Sequence, residues 1–160
     1  MEALYCAGTV LAGAVDLELP VRLLREGAEP PQRTRPGDAG YDLRTLEAFE
    51  LAPGERRLVP TGFALALPPG IAGLVTPRSG LALKHGVTTL NAPGLIDPNY
   101  RGEVGVILHN AGTEIYRAEP GDRIAQLVLV RYEAPETVVV DDLPASGDDR
   151  GAGGFGSSGR

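Results

Sequence analysis

Apolar residues alternate with polar ones over short spans of this chain, and a Gly- or Pro-bearing break interrupts them about every ten residues. A period of two is that of a β-strand with one buried face. The pattern predicts strands at 19–24, 41–43, 49–51, 56–60, 62–67, 71–75, 87–90, 103–109, 115–118, 124–132 and 137–140. The clearest alternation is Phe63, Leu65, Leu67, and Pro53-Gly54, Pro68-Pro69-Gly70 and Pro120-Gly121 supply turns between spans. One exception is 79–84, whose SGLALK composition predicts a short helix with Ser79 as its N-cap. Residues 26–39 are rich in Pro, Gly and charge and read as loop. Nothing repeats at a fixed period. Many short strands of even spacing define an all-β sandwich or barrel.

The two ends depart from this pattern. Residues 1–18 show no clear period and form an extension of unassigned role. Residues 19–143 form the β domain. From 144 to 160 the chain is mostly Gly, Ser and Asp. Such a tail has too little apolar surface to hold itself folded and is expected to be mobile in the free protein.

Composition agrees with turns and strands: 22 Gly and 14 Pro in 160 residues suit short elements better than a helical bundle. The length suits one domain with a real core. A net charge of -6 argues against a nucleic-acid polymer or an anionic membrane as partner, because such surfaces are met by basic patches. A small anionic ligand remains compatible, since a few local Arg suffice. Cys6 is the only cysteine, so no intrachain disulfide forms and nothing requires an oxidising compartment. No apolar run reaches membrane-spanning length, and the first residues lack the basic start of a secretory signal. The expectation is a cytoplasmic protein.

The densest chemistry lies in GLIDPNYRGE, residues 94–103. Leu95 and Ile96 read as the end of a buried strand, and Asp97-Pro98-Asn99 as a turn. Asp97 is thus either a turn-capping carboxylate or one held in place well enough to act as a general base. Pro77-Arg78-Ser79-Gly80 offers a cation, a hydroxyl and backbone amides at a helix start. That suits either a capped helix with a surface Arg or a phosphate site. Gly121-Asp122-Arg123 reads equally as a turn with a surface ion pair. Gln126 is a polar amide inside an apolar strand and needs a partner. In the tail, Arg150 and the hydroxyls of Ser157 and Ser158 flank Phe155, a ring with no core to join. The tail is either a linker-like end or carries groups that meet a flat, charged ligand. His85 and His109 share no ligand spacing with the cysteine or each other, which argues against a zinc site.

Five clusters, AGYDL (39–43), PRSG (77–80), GLIDPNYRGE with Asn91 before it, GDRIAQL (121–127) and RGAGGFGSSG (150–159), stand in an order that resembles the trimeric dUTPase family. The resemblance covers residues 19–159. It implies a jelly-roll-like β-barrel of the dUTPase β-clip type, with a short helix after PRSG and a flexible C-terminal tail. It also implies a homotrimer with shared active sites, and hydrolysis of dUTP to dUMP and pyrophosphate with Mg²⁺. Under it, Asp97 is the base that activates water, and Tyr100 lies under the deoxyribose. Asn91 and the hairpin backbone through Leu95 and Ile96 read uracil. Arg78, Ser79, Gly80 and Gln126 hold phosphates, and Asp42 orients waters on the metal. Arg150, Phe155, Gly156, Ser157 and Ser158 close over the substrate. Asn99 stands where acidic residues or Gly are frequent in the family, and Gly105 where some members carry a side chain that meets substrate. A dCTP deaminase and a non-catalytic nucleotide-binding protein are the alternatives on the same scaffold. Asp97 argues against the second, since a pure binder needs no base.

Overall fold

The computed structural model of the chain describes residues 17–144 and Gly147. Its strands are β1 (Val21–Leu23), β2 (Gly40–Arg44), β3 (Phe49–Leu51), β4 (Arg56–Leu65), β5 (Ile71–Thr76), β6 (Val87–Thr89), β7 (Gly94–Ile96), β8 (Glu103–Asn110), β9 (Tyr116–Ala118) and β10 (Arg123–Arg131). The single helix among the described residues is α1 (Ser79–His85). The strands form two four-stranded sheets, ordered β1-β4-β8-β6 and β2-β10-β5-β7, and a separate two-stranded ribbon, β3-β9. Every strand pairing is antiparallel.

Alternation builds the core. In β8, Val104, Val106, Leu108 and Asn110 point inward, while Glu103, Gly105, Ile107 and His109 point outward. Val59, Phe63 and Leu65 of β4, Leu43 of β2, Val75 of β5 and Leu127 of β10 join them in one apolar cluster fed by both sheets. Burying each such side chain contributes about 1.5–3 kcal/mol. The one fully buried amide is satisfied: Asn110 Nδ2 donates to the Leu51 and Glu114 carbonyls, both at 2.8 Å, and Oδ1 accepts from Gly112 N–H at 2.9 Å.

Several expectations are corrected. The spans 56–60 and 62–67 are not two strands. They run as one strand, β4, whose pairing with β8 shifts register between Pro60 and Ala64. Gly62, at φ +78°, absorbs that irregularity, so what reads as a break is a bulge. Ser79 does not cap α1. Arg78 holds the N-cap position with extended backbone, no side chain caps the helix, and Ser79 is the first helical residue. Leu95 is exposed although its neighbour Ile96 is buried, because a three-residue edge strand has only one inward face. The span 137–140 forms no strand: its valines are exposed and pair with nothing within the described chain. An extended apolar span needs a neighbouring strand to become β, and no sheet edge among the described residues meets it.

Candidate active site

The first group of candidate residues gathers where β2, β10 and β5 run side by side. Asp42 lies directly opposite Gln126, which lies opposite Thr76. Two residues beyond Thr76 the chain reaches Arg78. Asp42, Arg78, Ser79, Gly80 and Gln126 therefore line one cavity of about 640 Å³, together with Thr34, Arg35, Asp38 and Arg123. Gly40 belongs there for its lack of a side chain, since a Cβ would stand 2.6 Å from Gln126 Oε1. Asp42 is the electrostatic centre. Its carboxylate accepts from Thr34 Oγ1 at 2.7 Å and from Arg123 Nη1 at 3.3 Å, and stands 3.6 Å from Arg78 Nε. Arg78 Nη1 in turn donates to the Arg123 carbonyl at 2.7 Å. Three guanidinium groups against two carboxylates leave this cavity one net positive charge. On its flank, Tyr116 is held above its ordinary value of 10.0 by burial, with Asp122 adding to the shift and Arg78 opposing it.

Arg123, Thr34, Arg35 and Asp38 are charged or polar lining residues that sequence reading did not assign to the site. The cause is visible in β10. In a regular strand Arg123 and Gln126, three positions apart, point to opposite faces. A register shift between Arg123 and Ala125 flips that parity, so Ile124 and Ala125 are both buried and Arg123 turns to the same cavity as Gln126. Thr34 and Asp38 lie in the 26–39 loop. The bridge between Gln32 and Asp42 ties that loop to β2, and no short motif announces it.

The second group surrounds the turn after β7. Leu95, Ile96, Asp97 and Tyr100 line a smaller slot of about 160 Å³ with Glu103, Val104 and Gly105. Asp97 is exposed at the end of β7, and its carbonyl accepts from Tyr100 N–H at 3.1 Å, which closes the turn. Arg101 Nη1 donates to the Pro98 and Tyr100 carbonyls, both at 2.7 Å, and stiffens it. Tyr100 is partly exposed, with its hydroxyl donating to the Glu103 carbonyl at 2.9 Å. Asn91 lies outside both cavities, in the connection from β6 to β7, with Nδ2 3.2 Å from where a Cβ on Gly94 would stand; those two strands pair with β8 and β5 and not with each other, so the connection is not a hairpin. The two cavities share no lining residue. Arg150, Phe155, Gly156, Ser157 and Ser158 lie outside the described residues.

Among the described residues no group of three His, Cys, Asp or Glu side chains gathers to cage a metal. His109 Nδ1 sits 3.1 Å from the Glu55 carbonyl, a structural contact. Two carboxylates, Asp38 and Asp42, and the amide of Gln126 line the larger cavity. This is too few donors for a protein-only site. It suits a hydrated Mg²⁺ that arrives on the phosphates of a ligand.

A model of the dUTPase family matches residues 26–159. The deoxyuridine 5'-triphosphate nucleotidohydrolase of Anaeromyxobacter sp. (strain Fw109-5) is 58% identical over 132 residues, 82% of this chain and 88% of that protein. That of Nocardia farcinica (strain IFM 10152) is 52% identical over 143 residues, 88% of this chain and 85% of the relative. Among solved structures, the Staphylococcus bacteriophage 80alpha dUTPase with dUPNHPP aligns at a TM-score of 0.80 and 33% identity, covering 89% of this chain and 99% of that one. The fold and the site thus define a nucleotide hydrolase of the dUTPase type. The chain belongs to the dUTPase family.

Proposed function

We propose that the protein hydrolyses dUTP to dUMP and pyrophosphate, which keeps uracil out of DNA and supplies dUMP for thymidylate synthesis. The observation that carries this reading is Asp97: a dUTPase-family chain presents an exposed carboxylate at a strand end, beside a slot walled by Tyr100. In the reaction, Asp97 takes a proton from a water as the water oxygen bonds to the α-phosphorus. The bond from that phosphorus to the bridging oxygen breaks in line, and pyrophosphate leaves. Tyr100 lies under the deoxyribose. Asn91 and the backbone of the segment through Leu95 and Ile96 pair with the uracil edge. Cytosine inverts the donor and acceptor there and leaves buried groups unpaired, at a cost of about 1–3 kcal/mol each.

Arg78, Ser79, Gly80 and Gln126 hold the phosphates, and Asp42 orients the waters of Mg²⁺. The ion supplies charge neutralisation on a triphosphate that carries about four negative charges. Arg150, Ser157 and Ser158 meet the terminal phosphate, while Phe155 and Gly156 cover the base. A variant dUTPase of phage phi11 of S. aureus, 31% identical and similar at a TM-score of 0.72, coordinates a structural Mg(II) ion, which favours the same ion class here.

The active form in this reading is a homotrimer. Asp97 must reach a phosphorus whose oxygens are held in the other cavity, and the lack of any shared lining residue supports a site completed by a second copy. The protein acts in the cytoplasm. No helix among the described residues is long and apolar enough to cross a membrane.

The test is incubation with dUTP or dCTP and Mg²⁺. Pyrophosphate from dUTP alone is expected, with Asp97→Asn lowering kcat by about a hundredfold or more while substrate binding is largely kept. Ammonia from dCTP identifies a deaminase, and binding without turnover a nucleotide-binding protein. Either outcome overturns the proposal.

A further inference from the structure

The Tyr100 ring stands against the one residue of its turn that leaves room for it. A Cβ built on Gly102 would overlap Tyr100 Oη and stand 2.7 Å from Cζ and 3.1 Å from Cε2. The backbone at Gly102 does not take up the left-handed φ that favours glycine. What the position needs is therefore the missing side chain, not conformational freedom. The ring seats on the Gly102 α-carbon, and its hydroxyl donates to the Glu103 carbonyl at 2.9 Å.

Glu103 is itself fixed. Its Oε1 accepts from the Gly62 N–H at 2.8 Å and its Oε2 from Arg25 Nη2 at 2.8 Å. Gly62 belongs to the bulge of β4, and the Leu24 N–H donates to the Gly62 carbonyl at 2.8 Å. The sequence spacing Tyr100-x-Gly102-Glu103 thus anchors an otherwise half-exposed ring to the sheet β1-β4-β8. From that seat Tyr100 lines the 160 Å³ slot together with Leu95 and Ile96.

We propose that Gly102 and Glu103 are positioning residues that set the depth of the Tyr100 ring and thereby the discrimination between deoxyribose and ribose. The inference rests on the reading of Tyr100 as the surface under the sugar. A ring pinned at one depth leaves no space for a 2′-hydroxyl. A ring free to swing makes that space at little cost, because Tyr100 is 44% exposed. Adding one methyl at Gly102 displaces the far end of a side chain and not backbone, so the variant folds.

The experiment compares kcat/KM for dUTP and UTP, with Mg²⁺, in the full chain and in Gly102→Ala, Tyr100→Phe and Tyr100→Ala. Gly102→Ala is expected to lower the dUTP-to-UTP ratio by about tenfold or more, a typical scale for one group's contribution to selectivity. Tyr100→Phe, which keeps the ring and loses only the bond to Glu103, lowers it less. Tyr100→Ala lowers it most. A purely structural defect at Gly102 reduces both activities together and leaves the ratio unmoved, and that result overturns the proposal. If Tyr100→Ala also leaves the ratio unmoved, the reading of Tyr100 fails first. If Tyr100→Ala lowers the ratio and Gly102→Ala does not, only the positioning role fails.

Discussion

Arg123 Nη1 stands 3.3 Å from Asp42 Oδ2, although the regular period of its strand would aim the two side chains apart. The bulge at Ile124 makes the contact, and it places a second guanidinium beside Arg78 in the larger cavity. Replacing Arg123 by Met keeps the apolar stem and removes the charge. The expected result is a fall in kcat/KM for dUTP of at least about tenfold, from lost charge-assisted contacts to the triphosphate. Stability should change by less than about 1 kcal/mol, because the side chain is 39% exposed and its pair with Asp42 is screened. Steady-state kinetics beside a denaturation curve separates the two, and an unchanged kcat/KM would show the pair to be structural only.

The separation of the two cavities makes a prediction about assembly. Asp97→Asn and Arg78→Ala should each be nearly inactive alone. If a site takes Asp97 from one chain and Arg78 from another, unfolding and refolding the two variants together restores activity. With random mixing about a quarter of the sites carry both wild-type residues. Light scattering on the wild type should give three times the chain mass. A mixture no more active than its parts, or a fully active monomer, contradicts the shared site.

Thr89 is buried at the end of β6, and its Oγ1 finds no hydrogen-bond partner. An unsatisfied buried hydroxyl costs about 1–3 kcal/mol. Valine has nearly the same shape and suits a strand. Thr89→Val should therefore stabilise the protein by about 1 kcal/mol, read as a higher urea midpoint with unchanged slope. A lower midpoint would mean that the hydroxyl is satisfied in solution.

Local pattern carried a good deal of this architecture, for physical reasons that differ by residue. Val104, Val106 and Leu108 reveal their inward face because β8 is regular and half-buried, and Pro53-Gly54 ends β3 because no strand continues through it. Departures from the period were hidden. Gly62 reads as a chain break yet forms a bulge, and Arg123 reads as a turn residue yet enters the cavity. At 137–140 the apolar pattern is real, but pattern cannot supply the neighbouring strand that would make it β. The same holds for the site. Asp97, Arg78 and Gln126 stood out because their motifs are compact in sequence. Thr34 contributes a 2.7 Å bond to Asp42 from a loop tied to β2 by an isolated bridge, which leaves no local signal.

The central claim is that a water activated by Asp97 attacks the α-phosphorus of dUTP. It is tested most directly by turnover of dUTP with Mg²⁺ in heavy-oxygen water, followed by mass analysis of both products. The account predicts dUMP carrying one heavy oxygen and unlabelled pyrophosphate, with Asp97→Asn producing almost none of either. Heavy oxygen in the pyrophosphate would mean attack at the β-phosphorus, and intact dUTP would mean no hydrolysis; either contradicts it.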